Sequence, residues 1–166
     1  MANIEAKENT YKGRFIYSLN ALWINTSLSV SPLSGRYIHR LDPHATNSRT
    51  YITHPTALDL TRHTITVPHT GVYEICLGMS SRVDTVLKEV AVSVNWAMQE
   101  HATTTPPVEN RLLYINSPRA SVIGSVPRPL YRSAIVQLEA GDELQIVEIG
   151  VAHTSAENFC FTIKEL

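Results

Sequence analysis

Apolar and polar residues alternate over short runs along most of this chain, and the runs stop at Pro, Gly, Asn or Asp. Ala, Leu, Glu and Lys nowhere recur at three-and-four spacing, so the pattern predicts strands and no helix. In 88–96, Val90, Val92, Val94 and Trp96 fall on one face and Glu89, Ala91, Ser93 and Asn95 on the other. Residues 63–67 form a short strand stopped by Pro68, and the turn Pro68-His69-Thr70-Gly71 leads straight into a second strand over 72–78. The strongest hairpin pairs 130–138 with 143–151 through Glu139-Ala140-Gly141-Asp142. On its second strand Leu144, Ile146 and Glu148 share one face, and Gln145, Val147 and Ile149 the other; a strand so apolar on both faces is expected to be covered on both. In 158–164, Phe159, Phe161 and Ile163 line one face, which places that strand inside a sheet rather than at its edge.

The remaining stretches are less regular. Residues 111–115 and 120–123 are shorter strand candidates, and 13–19 with 21–24 supply first-strand material. From Ser31 to Pro55 the breakers Pro32, Gly35, Pro43 and Pro55 leave a strand only around Tyr51. Residues 100–110, with Thr103-Thr104-Thr105-Pro106-Pro107, read as an exposed loop. First and last strands lying together fit an all-β, two-sheet antiparallel jelly-roll sandwich over 13–166, preceded by a polar arm at 1–12.

Composition narrows what such a sandwich does. At 166 residues one core suffices. Lys+Arg and Asp+Glu nearly cancel, to a net charge of -1, so no basic field holds a nucleic acid or an acidic membrane. The N-terminal residues carry no apolar run, and neither a signal peptide nor a membrane anchor is expected. Two cysteines, Cys76 and Cys160, make no disulfide-dense scaffold and match no zinc spacing. The seven histidines His39, His44, His54, His63, His69, His101 and His153 show neither His-x-His nor His-Glu-x-x-His; His63 and His69 flank one turn. There is no Gly-x-Ser-x-Gly elbow and no phosphate-binding Gly-x-x-x-x-Gly-Lys loop, and Asp142 reads as a turn residue. No catalytic residue, metal or cofactor is expected.

The order Ile65-Thr66-Val67-Pro68, Gly71-Val72-Tyr73-Glu74-Ile75, an alternating Val strand, Leu138-Glu139-Ala140-Gly141-Asp142-Glu143-Leu144 and a closing Phe159-Cys160-Phe161 resembles the tumour necrosis factor and complement globular-head superfamily. The resemblance covers about the last two-thirds of the chain; His69-Thr70 separates Pro68 from Gly71 where that family commonly has the two adjacent. It implies a ten-stranded jelly roll that assembles as a threefold homotrimer along one sheet. Tyr73, Trp96, Tyr131, Phe159 and Phe161 are then anchors of the core or of the subunit contact. It also implies that the strands bearing Cys76 and Cys160 are neighbours, the two being read as buried free thiols. Trimer burial accounts, on this reading, for the charged fraction of 17% and for the two apolar faces of 143–151. The setting expected is a non-enzymatic virion component assembled in the host cytoplasm, a capsid decoration, head-fibre or tail-associated protein of a bacteriophage, with Glu5, Lys7 and Lys12 on an arm that docks on the particle. The alternative is a soluble ligand that binds a host receptor or glycan through 31–55 and 100–110, with Tyr37, Tyr51 and Tyr114 as candidate stacking residues.

Overall fold

Period-two alternation builds twelve strands and no α-helix among the described residues. They are β1 (Ile16–Leu22), β2 (Ser27–Ser31), β3 (Arg36–His39), β4 (Arg49–Ile52), β5 (Leu58–Asp59), β6 (Thr64–Thr66), β7 (Gly71–Ser81), β8 (Lys88–Val94), β9 (Arg111–Ser117), β10 (Arg128–Leu138), β11 (Glu143–Ile149) and β12 (Asn158–Glu165). The computed structural model describes residues 13–22, 27–31, 36–42, 48–81, 88–101, 104–117, 128–149 and 158–166. The expected arm with Glu5, Lys7 and Lys12, and the candidate strand 120–123, lie outside them.

Two antiparallel sheets face each other. The five-stranded sheet runs β10-β7-β12-β1-β4, so the strand expected inside a sheet, β12, sits between β7 and β1. In the seven-stranded sheet β11 is the hub. One of its edges pairs with β8, and the other is shared by β6 near Leu144 and β3 near Val147. Tyr17, Leu19, Tyr73, Ile75, Leu77, Phe159, Phe161 and Ile163 from the first sheet close on Ile65, Val90, Val92, Leu144 and Ile146 from the second in one buried cluster. Buried tyrosines need partners for their hydroxyls. Tyr17 donates to the Leu41 carbonyl at 2.8 Å and Tyr73 to the His69 carbonyl at 2.6 Å.

Two expectations are corrected. Residues 36–39 are a strand, although the breakers from Ser31 to Pro55 pointed to a loop, and 27–31 pair with it; β3 is only four residues long, bonded to β2 on one side and β11 on the other, too short a run to show as alternation. Trp96 does not share the face of Val90 and Val92. Asn95 takes a positive φ of 52° and turns the chain outward, so Trp96 joins Ile38, Ala91, Met98 and Val147 in a second cluster on the outer face of the seven-stranded sheet. The Trp96-Ala97-Met98 segment is a strap over that face and leads into the stretch 100–110, which is exposed as expected at Glu100, Thr104, Thr105, Pro107, Val108 and Glu109, with Pro106 buried. Met98 N donates to Gln145 Oε1 at 2.8 Å, Ser93 Oγ to the Trp96 carbonyl at 2.8 Å, and Arg111 Nε to the Pro106 carbonyl at 2.6 Å. The double cover of β11 is real, but this chain's own strap supplies it, with no need of another subunit.

Candidate functional site

The face of the five-stranded sheet that turns away from the core is set by the same alternation that fills the core. With Tyr73, Ile75 and Leu77 inward, Val72, Glu74, Cys76 and Gly78 of β7 point outward; with Phe159, Phe161 and Ile163 inward, Cys160, Thr162 and Lys164 of β12 do. On β10 the outward positions are Tyr131, Ser133, Ile135 and Gln137, and on β4 and β1 they include Tyr51 and Ser18, which are paired. A solvated sheet face is ordinarily rich in charge. Among the described residues the charged outward side chains of this sheet are Arg49 on the edge strand β4 and, directly opposite each other in register, Glu74 and Lys164. Between them and the sheet edge stand Tyr131, 63% exposed, Ile135, 67%, and Val72, 43%, with Tyr51, 60%, on the far edge strand.

The centre of this face is soft. Cys160 Sγ lies 2.6 Å from where a Cβ on Gly78 would stand, and Tyr131 Cδ2 3.4 Å from it, so glycine is what leaves room for the thiol. Tyr131 shares a hydrogen bond with Cys76, which holds its phenol above the usual value. Burial pushes the Cys160 thiol up; the Gly78 backbone lowers it and nearby Cys76 raises it again. Both cysteines are free, and they are partly exposed rather than buried as expected.

The globular domain of the zebrafish complement 1qA protein is similar over 93% of this chain and 98% of its own, with a TM-score of 0.55 at 13% identity. Murine APRIL is similar over 93% of this chain and 100% of its own, with a TM-score of 0.56 at 12% identity. The fold is a two-sheet antiparallel jelly roll like those of these two proteins. No protein-family model matches the sequence, and no curated protein does so significantly.

Within this jelly roll the two turn motifs that carried the resemblance meet at one end of the sandwich. Gly141, at φ 94°, donates its amide to the Val67 carbonyl next to Pro68, and Val67 N returns a bond to Asp142 O, both 2.8 Å. Asp142 is the turn residue expected. Its carboxylate accepts from Glu139 N at 2.9 Å and from Asn95 Nδ2 at 3.0 Å, and Ala140 N reaches Thr70 Oγ1 beside Gly71.

Of the expected anchors, Tyr73, Phe159 and Phe161 are core, Trp96 belongs to the strap cluster, and Tyr131 alone stands on the outward face. Tyr37 packs against the core and Tyr114 lies under the Arg111 guanidinium, 4.6 Å from its ring centroid. His63 and His69 find different neighbours: His63 Nδ1 is 4.0 Å from Asp42, whereas His69 stands edge-on to His54, ring centroids 5.3 Å apart. Among the described residues no group of three His, Cys, Asp or Glu is placed to hold a metal. His44 and His153 lie outside them.

Two polar clusters escaped the sequence reading. His39 and Glu148 form a fully buried pair at 3.1 Å between the sheets, with the His39 ring stacked on Phe159 at 4.2 Å. Its one visible signal was Glu148 on the apolar face of β11. The second joins Glu165 to the Phe15 amide at 2.8 Å and to His69 Nδ1 at 2.9 Å. Burial raises the Glu165 carboxyl, but those two hydrogen bonds and the charges of His69 and His54 outweigh it and hold the group below its ordinary 4.5. A carboxylate lowered in the folded state stabilises above its unfolded value and loses that contribution as pH falls through the lowered one. Glu165→Gln is therefore expected to cost about 1–2 kcal/mol at neutral pH and progressively less in acid. Thermal melts of both proteins between about pH 3 and 7 check this; parallel curves would refute it.

Proposed function

We propose that the chain is a non-enzymatic module that works as a homo-oligomer, its copies meeting on the outward face of the five-stranded sheet. The observation that carries this is the face itself: four large apolar side chains exposed around a charge-poor centre, on a sheet whose other side is already packed. A second copy of this chain is the occupant that fits. The strap covers the other sheet from within the same chain, so the five-stranded sheet is the broad apolar face left for association. Glu74 and Lys164 lie opposite each other in register with opposite charges, and with Arg49 beside Tyr51 they leave little charge to be matched by a partner of opposite sign. Threefold stoichiometry is what the resemblance implies. On the sequence, the larger particle that such a module decorates is a virion, with residues 1–12 as its attachment. Light scattering on the full chain is expected to return three times the 18.5 kDa protomer. A protomer mass across the micromolar range would end the proposal.

A further inference from the structure

Cys76 and Cys160 sit in the middle of the proposed contact, on adjacent strands. Thr162 is opposite Cys76 and Gly78 opposite Cys160, so the two thiols are diagonal neighbours on one face, each within reach of the other's surroundings. Neither is closed into the core, and Tyr131, the exposed aromatic on the adjoining edge strand β10, touches both surroundings: it is hydrogen-bonded to Cys76 and packed beside the Gly78 gap that Cys160 fills. A serine or alanine pair would fit this surface as well without thiol chemistry. Partly exposed thiols in an apolar contact are reachable when copies are apart and shielded when they are together.

We infer that Cys76 and Cys160 form a modification site through which small disulfides gate self-association. The inference rests on the contact face proposed above. In the separated protomer a cysteine thiolate attacks one sulfur of a low-molecular-weight disulfide such as glutathione disulfide. The new S–S bond forms as the old one breaks, the departing sulfur leaves as a thiolate, and that thiolate takes up the proton the cysteine gave to solvent. The product is a mixed disulfide carrying a peptide with carboxylates and an ammonium, planted where Tyr131 and Ile135 should meet another copy. A charged cap there cannot be desolvated cheaply, and the crowding around Gly78 leaves no recess to hold it. Excess thiol reverses each step and returns the bare face. Cys160, whose thiol burial keeps protonated, is the slower of the two to react.

The test uses the full chain. Reduced protein is incubated with glutathione disulfide, adducts are counted by mass spectrometry, mass is read by light scattering, and circular dichroism reports the fold. The expected result is a capped, folded protomer of 18.5 kDa that reassembles when reductant is added. Wild-type protein diluted until it is a protomer is expected to take the cap at least about tenfold faster than the assembled protein, because assembly protects by mass action. Cys76→Ser with Cys160→Ser takes no cap, and its mass does not respond to glutathione disulfide. Capped protein that keeps the mass of the untreated assembly overturns the gate and leaves self-association standing. Equal capping rates in assembled and monomeric protein do the same. Capping that abolishes the β-sheet signal assigns dissociation to unfolding and also overturns it. Reduced, uncapped protein that is already monomeric removes the contact face and the gate together.

Discussion

Tyr131→Arg combined with Ile135→Arg is expected to convert the assembly into a folded protomer of 18.5 kDa. Both side chains are more than half exposed on β10 and point away from the core, so the isolated protomer has little to lose. Surface changes of this kind move stability by only about 0.5 kcal/mol either way. In the contact the same guanidiniums would have to leave water, at an effective penalty of several kcal/mol per ion, and the change recurs in every copy. Dissociation should thus be complete at micromolar protein while the melting temperature of the protomer is unchanged. Light scattering and a thermal melt on the same sample separate the two quantities. Retention of the wild-type mass would mean that another surface joins the copies.

The second large effect lies between the sheets. Glu148→Ala leaves His39 buried against Phe159 without the carboxylate 3.1 Å away. Removing one member of a buried pair typically costs about 3–5 kcal/mol, against a total stability of about 5–15 kcal/mol. For a domain of this size that corresponds to a fall of roughly 10 °C or more in melting temperature. Glu148→Gln, which keeps the shape and a polar atom toward His39, is expected to lose less. Urea unfolding with an unchanged slope would attribute the loss to the folded state. A cost below about 1 kcal/mol for the alanine variant would show that the pair is dispensable.

What the sequence makes legible follows from where alternation is long enough to read. β7, β8, β11 and β12 each run seven residues or more with bulky residues at every second position, and all four appear where the pattern puts them. β3 escapes because it is four residues long and its neighbours are breakers. The strap escapes for a different reason. Trp96 reads as the last residue of the strand 88–96, since no alternation pattern reports the left-handed turn at Asn95. The candidate contact was half visible. The low charge has two counterparts in the structure, the strap over one sheet and the bare face of the other, and only the facing of each strand separates them. The thiols illustrate the same limit: their neighbourhood came from the resemblance, and their exposure from the gap at Gly78.

The seating of β12 between β7 and β1 also governs how the molecule reaches this state. Phe15 and Glu165 are bonded to each other across 150 positions of sequence, through Phe15 N to Glu165 Oε2 and Glu165 N to Phe15 O. No local hairpin can nucleate that pairing, so loop closure must be completed before it is rewarded, and refolding belongs to the slow milliseconds-to-seconds regime of non-local β proteins. Until β12 arrives, β1 and β7 each present an open hydrogen-bonding edge next to inward aromatic residues. During that interval the chain is most vulnerable to joining a neighbour by the wrong strand, which makes dilution during refolding, more than temperature, the condition that decides the yield of native protein.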